Sequence, residues 1–225
     1  MLLDNKRIKI ITGHYGSGKT EFACNYAIEL AKNSKKNVVL ADLDIVNPYF
    51  RSRERADFLK KYGITVVSGL LGNEASIDIP AIGGIYSSIM DSDTQLILDV
   101  GGDQAGARVL KQYTSYFDEK DSLLMAVINA NRPGTADVDS AINHIRAIEY
   151  EAGMKVAGLI NNTHFLRDTK PQVVLEGHKL VKKVSDKINV PILYATILRE
   201  YADELAQVLD VPVMPIDLIM RDRWM

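Results

Sequence analysis

The stretch Gly13 to Thr20, GHYGSGKT, constrains this chain more than any other. It fits the pattern G-x-x-x-x-G-K-[ST], a loop whose backbone N–H groups cradle phosphates when a strand precedes it and a helix follows. Ahead of it, Ile8, Ile10 and Ile11 form an apolar run ending in a glycine, as a buried strand entering a turn does. Behind it, Phe22, Ala23, Tyr26, Ala27 and Leu30 recur at helical spacing, with Glu21, Asn25, Glu29 and Lys32 on the other side. Gly13, Gly16 and Gly18 allow close backbone approach to an anion. The first turn of the helix turns unpaired N–H groups and a positive dipole end toward it. Lys19 then reaches the terminal phosphates, and the Thr20 hydroxyl is a Mg²⁺ ligand.

The segment ADLDIVNP follows the next apolar strand, Val38 to Ala41. Asp42 and Asp44, two residues apart in extended chain, point to one side at the carboxyl end of a strand, where open α/β sheets bind ligands. A carboxylate there can hold a metal-bound water or orient the water that attacks a terminal phosphate. A second apolar strand, Leu96 to Leu98, ends in Asp99, and Asp99 to Gly102 has the spacing D-x-x-G. That pattern places a metal-holding carboxylate beside a glycine N–H able to sense a terminal phosphate.

Further strands are expected over Ile64–Val67, Leu123–Ile128, Val156–Ile160 and Val190–Ala195. Helices are expected within Pro80–Met90, after Thr135 or Asp137, from Pro171, and around Glu200–Leu209. Strands alternating with helices predict one α/β domain over residues 1–225. It is a three-layer fold with a mostly parallel sheet and helices on both faces. With 47% hydrophobic residues and one cysteine, such a core forms without disulfides. Cys24 alone excludes an intramolecular iron–sulfur site and reads as packing.

The net charge of -2 argues against nucleic-acid binding, no apolar run spans a membrane, and the N-terminus lacks a signal-peptide pattern. A cytoplasmic location is expected. His14, His144, His164 and His178 show no metal-ligand spacing, and His144 and His178 are expected at the surface of helices. Arg51, Arg53 and Arg55 read as a solvated face or as a partner-directed cation. The tail with Met214, Leu218, Ile219, Met220 and Trp224 is expected to pack on the core.

With these motifs in place, the chain resembles the phosphate-loop NTPases that include MinD, ParA, Mrp, the nitrogenase iron protein and the CobQ/CobB nucleotide-binding domains. GHYGSGKT is similar to their first motif, ADLDIVNP to the D-x-D-I-x-x-P segment of the Mrp-like members, and DVGGDQAG to the switch segment of the iron protein. The resemblance implies an ATPase whose nucleotide state controls homodimerisation or binding of a protein partner, with ATP and Mg²⁺ as ligands. Lys19, Asp44 and Asp99 would serve catalysis, and Thr20, Asp44 and Asp99 the metal. Gly13, His14, Tyr15, Gly16, Ser17, Gly18, Lys19, Thr20, Glu21 and Gly102 would contact the phosphates. Asn161 and Asn162 stand where relatives keep an asparagine that reads the base.

The chain departs from the family at His14, where relatives carry a lysine that crosses a dimer to the phosphates. His14 or an arginine of Arg51–Arg55 would have to supply that charge. NNTH lacks the lysine and aspartate of the guanine-specific N-K-x-D, which favours ATP. Two other readings suit the residues. One is an ATP-dependent small-molecule ligase or kinase resembling dethiobiotin synthetase and CobB, with its acceptor site within 68–93. The other is a nucleotide-binding module without catalysis.

Overall fold

A computed structural model of the chain describes residues 6–44, 52–68 and 79–221. Arg51, Trp224 and the last residues of ADLDIVNP, 45–48, lie outside the described residues.

Eight strands form one sheet in the order β3-β2-β4-β1-β5-β6-β7-β8. They are β1 (Ile8–Thr12), β2 (Asn37–Leu43), β3 (Ile64–Ser68), β4 (Thr94–Val100), β5 (Ser122–Ile128), β6 (Gly158–Asn161), β7 (Ile192–Leu198) and β8 (Val213–Ile216). Every pairing is parallel. Strand β1 is central, with Ile10 in register with Leu98 of β4 on one side and Leu124 of β5 on the other. From β1 the chain builds outward to β2 and β3, returns through β4, then crosses to β5 and the far half. Strand order therefore reverses at the carboxyl end of β1, where an open parallel sheet leaves a crevice for ligand.

Strand alternation sorts the core into two layers. Ile8, Ile10, Leu96, Leu98, Leu124 and Ala126 face one side, packed by helices α3 (Ile79–Met90), α4 (Gln104–Lys111), α5 (Val138–Ala152) and α6 (Pro171–Ile188). Ile11, Leu40, Ile97, Met125 and Val127 face the other, under α1 (Lys19–Asn33) and Leu59 of α2 (Ala56–Lys60). The expected α/β three-layer architecture is the one observed. Asp103 and Asp137 accept N–H bonds at the starts of α4 and α5, and Gly153 and Asn189 close α5 and α6 in the left-handed conformation. Among the described residues, no helix is long and apolar enough to cross a membrane.

Three local expectations need correction. The last helix is shorter than Glu200–Leu209: a 3-10 turn, Arg199–Tyr201, leads into α7 (Ala202–Ala206). The tail holds a strand, β8, whose Pro215 hid it; Pro is tolerated because β8 is the sheet edge, where one row of donors has no partner strand. His178 is buried rather than superficial, because it shares the inward face of α6 with Val174 and Val181, and its Nε2 lies 3.7 Å from the Asp210 carboxylate. His144 is half-buried, edge-on to His14 at 5.1 Å between ring centroids.

Truncating the central strand tests this architecture. Ile10→Ala should cost about 2–5 kcal/mol of unfolding free energy by urea titration. A loss under about 1 kcal/mol would mean that β1 is not at the centre of the core.

Candidate functional site

The loop between β1 and α1 bends where its glycines permit. Gly16 and Gly18 have φ of 76° and 79°, a region that side-chain-bearing residues rarely adopt. The Ser17 N–H bonds the His14 carbonyl across the bend, and the first intrahelical bond of α1 runs from Phe22 N–H to Gly18 O. Gly18 occupies the N-cap and has no side chain to satisfy the N–H groups of the first turn, unlike Asp103 and Asp137 at α4 and α5. The start of α1 is thus left open to an anion.

Carboxylates converge on Lys19 from β2 and β4. The Lys19 ammonium is 2.7 Å from Asp44 Oδ2, and both side chains are buried. Asp44 N–H donates to Asp42 Oδ1 at 3.1 Å, and Asp42 is in register with Asp99 on the neighbouring strand. Burial pushes Asp99 up to about 7 against the pull of Lys19, with Asp42 and Asp44 raising it further. For Lys19, burial opposes the charge, but Asp99, Asp44 and Asp42 together overturn it and raise the pKa, so the ammonium stays protonated.

Thr20 is near enough to Asp99 to favour its charged form, yet neither Asp99 oxygen completes a hydrogen bond among the described residues. Those two buried oxygens and the Thr20 hydroxyl are the hard donors a Mg²⁺ ion takes. Among the described residues no three His, Cys, Asp or Glu side chains could hold a metal alone.

Gly102 touches the loop: a Cβ there would lie 1.7 Å from the Gly13 carbonyl oxygen. A movement of the D-x-x-G segment must therefore move the phosphate loop, or the reverse. His14 packs on His144 of α5 and on the 3-10 turn Pro133–Thr135, where a Cβ at Gly134 would lie 2.4 Å from its Nε2. Ser17 is fully buried beneath the loop, and Tyr15 is 69% exposed at its rim.

A cavity of about 320 Å³ opens beside the loop, walled by Gly16, Gly18, Thr20 and Glu21 and continuing past Asn162 to Leu218 and Met220. The two asparagines part company here. Asn162 Nδ2 donates to Ser17 O at 2.6 Å and its Oδ1 accepts from the Thr196 hydroxyl, so it lines the cavity and braces the loop. Asn161, one residue earlier, points to the other face. Its amide donates to Val174 O at 3.0 Å and accepts from Thr163, so it is spent on joining β6 to α6.

Glu21 and Asn25 differ from expectation as well. Both are covered by the segment after β8 instead of facing solvent. Glu21 Oε1 accepts the Ile219 and Met220 N–H groups at 2.5 and 3.1 Å. Asn25 donates to Asp217 O and accepts from Asp217 N–H, at 2.9 and 2.8 Å. Burial pushes Glu21 up to about 7 despite these bonds. Sequence reasoning missed Arg132, which donates from Nε to Gly16 O at 2.9 Å, and gave His164 no role although it lines the cavity. The only local signal for Arg132 was its place in NANRPGT at the carboxyl end of β5.

Burial pushes His144 and His164 down to about 4. Unfolded imidazoles take up protons below about 6.5. The unfolded chain then binds more protons than the fold, so stability falls as pH drops from about 6.5 toward 4. His144→Gln should shrink the loss of urea-unfolding stability between pH 7 and pH 5 by about 2 kcal/mol. An unchanged loss would mean that His144 is protonated in the fold.

No protein-family model matches the chain. Among solved structures it is similar to the signal recognition particle receptor FtsY of Elizabethkingia anophelis in complex with GDP, at 18% identity and a TM-score of 0.55, over 88% of this chain and 59% of that one. It is similar to the 54 kDa signal recognition particle protein of Aeropyrum pernix K1 in complex with GDP, at 18% identity and 0.55, over 85% and 41%. It is also similar to FtsY of Thermotoga maritima, at 20% identity and 0.51, over 87% and 63%. The chain thus spans less than two thirds of the length of each. These likenesses establish the architecture: the chain has the α/β fold of the phosphate-loop NTPases.

Proposed function

We propose that the protein binds and hydrolyses a nucleoside triphosphate, ATP in preference to GTP, with Mg²⁺. It acts as a nucleotide-controlled switch of the MinD, ParA and Mrp kind. The observation that carries this reading is the convergence of Lys19, Thr20, Asp44 and Asp99 at an uncapped helix start, at the switch point of a parallel sheet. Two of the neighbours of like fold hold GDP, which supports a nucleotide as the ligand class.

The loop N–H groups and Lys19 would hold the phosphate chain, and to do so Lys19 must exchange Asp44 for phosphate oxygens. Asp44, released from its ion pair with Lys19, would stand beside the terminal phosphate, able to orient the attacking water. Mg²⁺, held by Thr20 and through water by Asp99, would neutralise charge on the phosphoryl group. Gly102, packed on Gly13, would report whether the terminal phosphate is present. Preference for ATP is supported by the end of β6, where Asn162, Thr163 and His164 offer no carboxylate to read guanine.

Of the stretch expected to hold an acceptor site, 68–93, residues 69–78 lie outside the described residues and 79–90 form helix α3, so nothing observed favours the ligase reading over the switch. With His14 packed on His144 of α5, a nucleotide-dependent homodimer would take its bridging cation from another residue.

Substitution separates binding from chemistry. Lys19→Ala should weaken ATP at least about 100-fold in calorimetry, since it removes a buried cation from the phosphates. Asp44→Ala should leave affinity unchanged or tighter, because it frees Lys19, while lowering steady-state phosphate release about 10²–10⁴-fold. Undiminished ATP binding by the lysine variant would sink the proposal, and equal losses of binding and turnover in the aspartate variant would make Asp44 structural.

A further inference from the structure

The cavity has two ends of different chemistry. None of Asp42, Asp44, Asp99 or Gly102 lines it, so the carboxylate cluster lies outside its walls. Its outer wall is formed by Arg132, from the loop after β5, and His164, from the loop after β6; its far end is apolar, with Ile197, Leu218 and Met220. This is the shape of a nucleoside slot, with a planar cation and a hydrogen-bond donor near one side and hydrocarbon beyond.

Both residues are held in place before any ligand arrives. Arg132 spends only Nε, on Gly16 O, and its terminal nitrogens make no hydrogen bond among the described residues. The guanidinium covers Gly16 so closely that a Cβ there would meet Nε at 2.8 Å. His164 accepts the Leu166 N–H at Nδ1, 3.2 Å away, which assigns the proton to Nε2. That contact is made through Leu166 at φ 58°, a conformation uncommon for a leucine. The two loops are also tied together, since Asn131 donates to His164 O at 3.4 Å and His164 N–H to Asn129 Oδ1 at 3.4 Å.

The Nε2 that results is a buried donor with no partner among the described residues, 3.2 Å from where a Cβ on Gly18 would lie. Burial, with Arg132 and Arg221 nearby, keeps the imidazole neutral down to about pH 4, so it offers one N–H and no charge.

We propose that Arg132 and His164 are nucleoside-binding residues, the guanidinium plane lying against the base and the His164 Nε2–H donating to the ribose or base. A guanidinium over an aromatic face gains cation–π attraction as well as contact area. The contribution belongs to the nucleoside and is indifferent to the terminal phosphate. The inference rests on the nucleotide-binding reading and adds to it which residues hold the nucleoside.

Three ligands separate the alternatives: ADP, a slowly hydrolysed ATP analogue, and inorganic tripolyphosphate, which has no nucleoside. Arg132→Ala should weaken ADP and the ATP analogue by the same factor, about 10-fold, with tripolyphosphate unchanged within about 2-fold. Arg132→Lys, which keeps the charge and loses the plane, should fall between. His164→Ala should weaken both nucleotides about 5-fold, and His164→Gln, which keeps a donor near the Nε2 position, should recover most of that. Loss of all three ligands from the Arg132 variants would make Arg132 only a brace for the loop. Loss confined to the triphosphate would place it at the terminal phosphate, and no loss would remove it from the site; each overturns the assignment. Histidine variants indistinguishable from the parent would do the same for His164. A parent protein that binds none of the three ligands would instead refute the nucleotide reading itself, and this inference with it.

Discussion

Everything at the site depends on one buried ammonium among three carboxylates. Lys19 pairs with Asp44 at 2.7 Å, while Asp42 and Asp99 stand side by side on adjacent strands. Burying like charges in register is costly, and the cost appears as a pKa near 7 for Asp99, driven first by burial and opposed by Lys19. The sheet tolerates the arrangement because β1, β2 and β4 are buried on both faces by apolar packing that does not depend on those carboxylates. With one ammonium among three carboxylates, the site is short of positive charge.

The features written locally in the sequence were the legible ones. GHYGSGKT, the aspartates closing β2 and β4, and the Asp137 cap of α5 each announce themselves within a few residues, because turn chemistry and strand termination are local. Parity decided the asparagines: in extended chain a shift of one residue changes faces, and only Asn162 reaches the loop. His178 misled because residue type was weighed above position; its spacing from Val174 and Val181 places it on the buried face of α6. Arg132 and the Glu21 contacts were beyond reach for another reason. They join residues 116 and 198 positions apart, and nothing in either segment names its partner until the sheet order is known.

Helix α1 is where the separate parts are joined. Lys19 and Thr20 on its first turn face the phosphate end, while Glu21 and Asn25, on the same turn and the next, hold residues 217–220 by their backbone. Leu218 and Met220 of that segment wall the apolar end of the cavity. The two ends of the pocket are therefore fixed to one rigid element, and the distance between them is set by a helix and not by loops. The buried sulfur of Cys24, 3.9 Å from Met220 Sδ, adds an apolar contact to the same join. Burial first, then the surrounding carboxylates, push its thiol well above the usual range, so it packs and does not react.

This construction assigns the conformational freedom of the site by elimination. The nucleoside end is braced on every side: Asn162 and Arg132 bind loop carbonyls, His164 is tied to Asn129, and the C-terminal segment is held by Glu21. At the phosphate end Lys19 is paired with Asp44 and Gly102 packs on Gly13, while Arg132 and Asn162 hold the Gly16 and Ser17 carbonyls of the loop. A phosphate that took Lys19 from Asp44 would act on a loop already held by Arg132 and Asn162, so the change would pass to the carboxylates of β2 and β4 before it reached the loop.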